Sequence, residues 1–181
     1  MPVYVGLLRA VNVGGRNPVK MGELSALLSR MGFEEVQTLL QSGNVVFRCE
    51  ERDPRGLERD LEGKMARDLR VHTDFFLRTA QEWRSVVAGN PFVQEAETDP
   101  GRLQVLALKE APPPEAWKSL DAAIQGRERA RGAGRTAYIF YPDGTGRSRL
   151  TPAIIEKNLG TRGTSRNWNT VTKLSSLASS L

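Results

Sequence analysis

The chain has 181 residues and a net charge of +5, a size that suits one compact domain or two small halves sharing a core. Hydrophobic residues make up 39% of the chain and charged residues 26%, values that exclude global disorder. No apolar run approaches the roughly 20 residues that cross a bilayer, so no membrane-spanning helix is expected.

The first 78 residues follow the order of a split βαβ unit. Short apolar runs and helical spacing predict, in chain order, a strand at 3–9, a helix at 20–31, strands at 36–40 and 45–48, a helix at 55–69 and a strand at 73–77. The segment 41–44 between the middle strands is a hairpin turn. Right-handed crossovers would place both helices on one face of a four-stranded antiparallel sheet, which is the ferredoxin-like arrangement.

Residues 79–181 repeat this order less completely. Thr79 and Glu82 form a capping box for a helix. The later predicted elements are a loop at 94–102, a strand at 103–108, a helix after the prolines at 112–114, paired strands at 127–131 and 135–141, a short helix from Pro152 to Gly160, and a C-terminal helix with Val171, Leu174, Leu177 and Leu181 on one side. No linker rich in Gly and Ser separates the halves, so we expect them to pack as one compact unit.

The positive charge is concentrated in the last third of the chain. From Arg127 onwards there are 10 Lys and Arg residues against 3 acidic ones, a net charge of +7. The first 126 residues hold 16 basic and 18 acidic residues, a net charge of −2. This asymmetry favours an anionic partner for the C-terminal part. The alternative is a basic surface that only keeps the protein in solution.

The loop at 10–19 joins a strand end to a helix start and is a candidate anion site. Two glycines would let a ligand approach the backbone, and free N–H groups at the helix start would bind it together with nearby cations. The candidate residues are Arg9, Asn12, Gly14, Gly15, Arg16 and Lys20. The loop lacks the Gly-Lys-Ser/Thr ending of a P-loop, and a plain strand-to-helix connection is the alternative.

The hairpin turn at 41–44 offers a second group of polar residues. Ser42 and Asn44 form a polar tip that could contact a ligand. Asn and Gly are also the residues that a tight turn needs for its own backbone. The turn therefore predicts either a ligand contact or a purely structural role for these side chains.

Two groups of residues carry the C-terminal charge. Arg127, Arg129 and Arg131 alternate, so in a strand they would share one face, as a ladder for a phosphate backbone or as a charged edge that prevents aggregation. The denser group is the stronger candidate site: Arg147, Ser148, Arg149, Arg166, Asn167, Trp168, Asn169 and Lys173. Arginine gives bidentate phosphate contacts, and a tryptophan can stack on a base. Alternatively, Trp168 anchors the core and the polar residues cap the last helix.

A single cysteine and a single histidine limit the available chemistry. Cys49 alone excludes an internal disulfide and a multi-cysteine metal site, and it favours a cytoplasmic protein. His72 alone excludes a zinc site built from several histidines, and any Ser-His or Cys-His mechanism would need it as the base. We interpret Cys49 as a packed thiol and His72 as a strand-edge residue, and we expect no metal and no cofactor.

Four segments make the sequence similar to a known family. They are 4–15, which ends in Gly14-Gly15, 41–47 with the hairpin turn, Asn90-Pro91-Phe92, and 166–174 around Trp168. On these segments the chain resembles the bacterial domain of unknown function 1697 family. The resemblance implies an α+β fold of two ferredoxin-like subdomains, 1–78 and 79–181, the second ending in the C-terminal helix. It implies no established activity, and Ala10 departs from the pattern because a glycine is expected there.

Charge and loop composition together favour a non-enzymatic binding protein for a phosphate-bearing partner, with nucleic acid ahead of a nucleotide. The alternative is an enzyme that acts on a small phosphorylated or carboxylated metabolite through a pocket lined by Arg, Lys, Asn and Ser. No general base other than His72 is evident for such an enzyme. A third possibility is an interaction protein that uses an exposed apolar surface. No membrane partner is expected, and the sequence leaves the oligomeric state open.

Overall fold

The structure, a computed structural model, describes all residues from Met1 to Leu181. They divide into two compact units, the first formed by Met1–Ser85 with Lys173–Leu181 and the second by Val86–Thr172. Each unit contains a four-stranded antiparallel sheet with helices between its strands. The predicted α+β fold with two ferredoxin-like subdomains is therefore confirmed. No helix has both the length and the apolar character that crossing a membrane requires.

The first unit has the complete element order that its sequence predicts. Its elements are β1 (Val3–Leu8), α1 (Met21–Arg30), β2 (Glu34–Thr38), β3 (Asn44–Arg48), α2 (Pro54–Asp68) and β4 (Phe75–Thr79), followed by α3 (Ala80–Ala88). The strands lie in the order β2-β3-β1-β4. The central strand β1 is antiparallel to both neighbours, with Tyr4 opposite Phe47 of β3 and Thr79 of β4.

Both helices between these strands bury an apolar stripe in the core of the first unit. The buried core residues are Met21, Leu24, Leu27 and Leu28 on α1 and Leu57, Leu61 and Met65 on α2. Spacings of three and four residues place each set on one helix face. Fully burying one such side chain stabilises the fold by about 1.5–3 kcal/mol, so these stripes hold the helices on the sheet.

Two glutamates of α2 bind the outer edge of β4, the last strand of its sheet. Glu58 Oε1 accepts a hydrogen bond of 2.8 Å from the backbone N–H of Leu77, and Glu62 Oε1 accepts one of 2.8 Å from that of Phe75. The two glutamates are one helical turn apart, and the two amides are two residues apart on the strand. One helical turn therefore advances about as far as two strand residues, so each carboxylate reaches one outward-facing amide. The carboxylates thus occupy donors that an open sheet edge leaves unpaired.

The second unit repeats this topology. Its elements are α4 (Val93–Thr98), a 3₁₀ turn (Pro100–Arg102), β5 (Leu103–Leu108), α5 (Pro114–Ala123), β6 (Arg129–Ala133), β7 (Thr136–Phe140), α6 (Pro152–Leu159) and β8 (Gly163–Asn167). The last helix, α7 (Trp168–Ser180), follows β8, and its residues from Lys173 onwards group with the first unit. The strands lie in the order β6-β7-β5-β8. Its core contains Leu106, Leu120, Ile139 and Ile155, which come from strands and helices alike.

Several predicted helix ends are confirmed. Thr79 Oγ1 accepts the Glu82 N–H at 3.1 Å, and the Glu82 carboxylate accepts the Thr79 N–H at 2.8 Å, which is a capping box. Thr151 accepts the N–H of Ile154 at 3.4 Å at the start of α6. Gly160 ends that helix with a left-handed φ of 70°.

The second half departs from the sequence prediction in three places. The segment 94–102 is not a loop but contains most of α4 and the 3₁₀ turn, because its polar residues are mostly good helix formers. Strand β8 was not predicted, because the polar residues Gly163–Asn167 show no apolar alternation. Strand β6 begins at Arg129, so Arg127 lies outside it and only Arg129 and Arg131 share a strand face.

Candidate functional site

The first loop, residues 9–20, contains a two-residue hairpin turn. Val13 and Arg16 form a β-bridge, and the Arg16 N–H donates to the Val13 carbonyl oxygen at 2.9 Å. Gly14 and Gly15 between them have φ values of 57° and 73°, as a type I′ turn requires. A Cβ at either glycine would meet no atom within 4 Å. The turn conformation, and not a lack of space, therefore explains both glycines.

Two asparagines with left-handed backbone hold the first loop in place. Asn12 has a φ of 55° and Asn17 one of 51°, values that asparagine tolerates better than most residues. The Asn12 side chain accepts the Val19 N–H at 2.8 Å and donates to the carbonyl oxygens of Val19 and Gln41 at 2.8 and 2.6 Å. Asn17 donates to the carbonyl oxygen of His72 at 3.1 Å. Both amides therefore serve the architecture of the loop.

The hairpin loop, residues 39–44, packs against the first loop. Asn44 is fully buried and donates to Ser42 Oγ at 2.9 Å, so its side chain supports the turn. Gly43 has a φ of 85°, and a Cβ there would lie 2.7 Å from a methyl group of Val11. Only Ser42 of the predicted polar tip is exposed.

The first loop and the hairpin loop together form a surface that we call the loop platform. Arg9 at its base lies 3.5 Å from the Asp74 carboxylate, so its charge is partly compensated. Arg16 and Lys20 are exposed and form no ion pair. Lys20 directly precedes α1, and no side chain caps that helix. The loop platform therefore presents two cations and an uncapped helix start to solvent.

A polar pocket of about 340 Å³ adjoins the first loop. It is lined by Glu62, His72, Thr73 and Asp74. Thr73 Oγ1 accepts the Arg9 N–H at 3.1 Å and donates to the Arg9 carbonyl oxygen at 2.7 Å, which ties the pocket to the loop. His72 thus lies with two carboxylates, a grouping that sequence spacing did not signal because Glu62 comes from α2. The carboxylates disfavour an anionic ligand in this pocket.

In the second unit, two arginines of the predicted ladder are bound to carboxylates. Arg127 makes two hydrogen bonds to Asp143, one from Nε to Oδ2 at 3.1 Å and one from Nη2 to Oδ1. Arg129 contacts the Glu95 carboxylate at 2.5 Å. The hydrogen bonds from these arginines hold the pKa of Asp143 and that of Glu95 below their usual values. Two of the ladder's three charges are therefore compensated within the unit.

Arg129 also contacts two aromatic rings. Its guanidinium carbon lies 5.2 Å from the ring centre of Phe92 and 5.4 Å from that of Phe140. Cation–π contacts at such distances contribute about 0.5–1 kcal/mol each at exposed sites. Arg131, on the same strand face, donates to the Ala130 carbonyl oxygen at 2.8 Å. Arg129 therefore joins α4 and its flanking Phe92 to the sheet of the second unit.

The segment 147–149 lies in the loop after β7. The Ser148 hydroxyl donates to the Glu128 carboxylate at 2.5 Å. Arg149 donates to the amide oxygen of Gln125 at 3.1 Å, a contact that leaves its charge uncompensated. Arg147 is exposed and forms no ion pair. The two arginines are surface cations, whereas Ser148 is bound within the unit.

Arg166 and Asn167 end β8 and are bound within the protein. Arg166 is 8% exposed and donates to Thr164 Oγ1 and to the Ser165 carbonyl oxygen, both at 2.8 Å. Burial lowers the pKa of its guanidinium to about 10. Asn167 Oδ1 accepts the N–H of Thr170 at 3.1 Å and so caps α7. For Asn167 the structure therefore agrees with the alternative interpretation, in which this residue caps the last helix.

The remaining predicted site residues lie on α7. Trp168 is half-buried, and Asn169 and Lys173 are exposed. Lys173 groups with the first unit, whereas Trp168 and Asn169 group with the second. A ligand-binding role for these three residues stays a prediction.

Comparison with known proteins identifies the family. A family model described as a protein of unknown function, DUF1697, matches residues 1–138. The chain belongs to the DUF1697 family. Among solved structures, the conserved bacterial protein SP0830 from Streptococcus pneumoniae has the same fold, with a TM-score of 0.75 and 21% identity over 98% of both chains. Among curated proteins, none matches.

In this DUF1697 protein, three asparagines of the segments that carry the family resemblance bind backbone groups of nearby loops. Asn12 and Asn44 do so in the loop platform, and Asn90 Oδ1 accepts the Phe92 N–H at 2.9 Å. Ala10, where the family pattern predicts glycine, has a left-handed φ of 52°. Glycine is expected there because it adopts this conformation without strain. Asn12, Asn44 and Asn90 therefore fix the geometry of the loops in which they lie.

Proposed function

We propose that this DUF1697 protein binds a phosphate-bearing partner without catalysing a reaction on it, and that nucleic acid is a better fit than a free nucleotide. The observation that carries the proposal is a pair of exposed cations without ion-pair partners, Arg16 and Lys20, on the ordered loop platform. Such cations bind phosphates and release counterions from nucleic acid. The expected setting is the cytoplasm of a bacterium, because the buried thiol of Cys49 needs no oxidising compartment and the structural relative is bacterial.

The exposure of these cations supports a long ligand over a small one. The pocket beside the loop platform is lined by the carboxylates of Glu62 and Asp74, which would repel a phosphate placed there. A nucleic-acid backbone can follow exposed cations without entering a pocket. Arg147 and Arg149 supply further surface cations on the second unit. These observations favour a sequence-independent backbone contact.

A salt titration tests the proposed phosphate contact. Affinity for labelled single- and double-stranded DNA and RNA is measured by fluorescence anisotropy between about 50 and 200 mM salt. Each cation that contacts a phosphate contributes about 0.7–0.9 to the slope of log affinity against log salt. The double substitution Arg16→Gln with Lys20→Gln is therefore expected to reduce that slope by about 1.4–1.8.

The matched control removes the same charge from the second unit. Lys118 and Lys157 are exposed helix lysines, so Lys118→Gln with Lys157→Gln changes net charge without touching the loop platform. This variant is expected to keep the wild-type slope. Absence of any salt-dependent affinity at low ionic strength would contradict nucleic-acid binding. Equal losses in the two double variants would contradict the loop platform as its site.

The second candidate is an enzyme that acts on a small phosphorylated or carboxylated metabolite. One observation favours it, since His72 lies in a pocket and could act as a base. The carboxylates beside it weaken the case for an anionic substrate. A thermal-shift screen with nucleotides and sugar phosphates decides, because a ligand at 100 times its Kd stabilises a protein by about 2.7 kcal/mol. Stabilisation by a small metabolite that His72→Ala removes would favour the enzyme.

A further inference from the structure

Exposed apolar side chains accompany the cations of the loop platform. Four large apolar residues of the chain are exposed: Met1, Val13, Leu40 and Val93, at 53, 61, 51 and 64%. Two of the four, Val13 and Leu40, belong to the loop platform. Neither gains the stabilisation that burial would give it. They give the loop platform apolar surface beside its two exposed cations.

The backbone at Leu40 strengthens this observation. Leu40 has a φ of 60°, a left-handed value that is rare for a bulky residue other than glycine or asparagine. The carbonyl oxygen of the next residue, Gln41, accepts the Asn12 amide at 2.6 Å. Strained residues of this kind persist where the surrounding structure fixes them, and they concentrate at binding sites. Leu40 is thus both exposed and held in a costly backbone conformation.

The same hydrogen bond brings the two apolar residues onto adjoining loops. Asn12 precedes Val13 in the chain, and Gln41 follows Leu40, so the bonded residues are their immediate neighbours. Arg16 pairs with Val13 across the hairpin turn. The loop platform thus combines apolar side chains and free cations, a combination that matches a ligand with apolar faces and regularly spaced anions.

We propose that the loop platform binds single-stranded nucleic acid, with unpaired bases on Val13 and Leu40 and phosphates on Arg16 and Lys20. The inference rests on the proposed function and specifies its ligand. In a duplex the base faces are stacked against each other, so only a single strand offers them to a protein surface. A surface with cations alone would bind single strands and duplexes alike, through the phosphate backbone of the nucleic acid.

The test uses a double variant that removes the apolar surface and keeps the charge. Val13→Thr preserves the shape of the side chain, and Leu40→Asn introduces a residue that tolerates the left-handed backbone. Affinities are measured for a single strand of thymidines, an abasic strand of equal length and a duplex of equal length. The variant is expected to bind the thymidine strand at least about fivefold more weakly with an unchanged salt slope. The wild-type protein is expected to bind the abasic strand as weakly as the variant binds the thymidine strand.

The controls separate this inference from the function on which it rests. Val93→Thr removes an exposed apolar residue from α4 and is expected to bind like wild type. Cooperative urea transitions show that the variants fold. The base contact is overturned if the Val13/Leu40 variant binds the thymidine strand as tightly as Val93→Thr does. It is also overturned if the wild-type protein prefers the duplex, or if it binds the abasic strand as tightly as the thymidine strand. In each of these cases the salt-dependent phosphate contact still stands. Loss of salt-dependent binding to every strand overturns both proposals.

Discussion

The side-chain amide of Asn12 donates to the carbonyl oxygen of Gln41 at 2.6 Å and so joins two loops that are 29 residues apart in the chain. The same side chain binds both the N–H and the carbonyl oxygen of Val19 at 2.8 Å. One amide thereby spans the first loop and anchors the hairpin loop to it. The loop platform is ordered by these bonds, which lowers the entropic cost of binding a ligand there.

Substitution of Asn12 by Asp tests this anchor. Asp accepts the left-handed backbone and has a similar size, but its carboxylate cannot donate to the two carbonyl oxygens. We expect the free energy of unfolding to fall by about 1–3 kcal/mol, measured by urea denaturation. Asn169→Asp introduces the same charge at an exposed residue and is expected to cause no loss. Equal stability of the two variants would contradict the structural role of Asn12.

Substitution of Ala10 by Gly is expected to stabilise the protein. The left-handed φ of 52° costs an alanine about 1–2 kcal/mol, which glycine avoids. The added freedom of glycine in the unfolded chain offsets about 0.4–1 kcal/mol of this gain. The expected net gain of about 0.5–1 kcal/mol is measured by urea denaturation. The control is Ala26→Gly on the exposed face of α1, for which the free energy of unfolding is expected to fall by about 1 kcal/mol. A fall in the free energy of unfolding for Ala10→Gly as well would refute the argument.

Removal of the Glu58 carboxylate is expected to weaken β4. Glu58→Ala leaves the buried N–H of Leu77 without its side-chain acceptor, at a cost of about 1–3 kcal/mol. Glu58→Gln retains a carbonyl acceptor and is expected to recover part of this stability. Hydrogen exchange at the Leu77 amide reports the local effect, and urea denaturation reports the global one. The control is Glu97→Ala at an exposed helix residue, which is expected to change the free energy of unfolding only slightly. An equally small change in Glu58→Ala would disprove the role of Glu58 in holding β4.

The sequence predicted the architecture where apolar residues recur at the period of their element. The stripes of α1 and α2 and the apolar strand β1 are of this kind. Strand β8 is different, because its buried residues include Thr164 and Arg166 and its assignment depends on pairing with β5. A strand held by distant pairing and polar burial carries no local apolar signal.

The candidate site was less predictable because net charge conceals pairing. Arg127 and Arg129 count as positive charges in the sequence, yet their carboxylate partners lie 16 and 34 residues away in the chain. Likewise, the sequence indicates that Asn12 is a ligand candidate because it lies in a glycine-rich loop. In the structure, its side-chain amide is bound to the carbonyl oxygen of Gln41. Arg16 and Lys20, by contrast, are candidate cations that the structure leaves exposed and without an ion-pair partner. Distant contacts of polar side chains, which no local pattern records, separate structural residues from free ones.

The pairing of Arg129 with Glu95 predicts a specific pH dependence. The hydrogen bond from Arg129 is the main cause that holds the pKa of Glu95 below its usual 4.5, and a backbone hydrogen bond and the Arg129 charge lower it further. The folded state thus favours the ionised carboxylate. This contribution to stability is present above the unfolded-state pKa and is lost as pH falls through the lower folded-state pKa.

Arg129→Leu tests this dependence while keeping an apolar contact with Phe92 and Phe140. NMR titration of the Glu95 side-chain carboxyl is expected to show a higher pKa in the variant than in the wild-type protein. The difference in unfolding free energy between the two proteins should shrink as the pH is lowered from 7 to about 3, because protonation of Glu95 removes the ion pair from the wild type as well. Arg131→Leu on the same strand face, whose guanidinium donates to a backbone carbonyl oxygen, is the control and should leave the Glu95 titration unchanged. An identical Glu95 midpoint in Arg129→Leu and wild type would show that the ion pair does not persist in solution, and the Arg129 charge would then be available to a ligand.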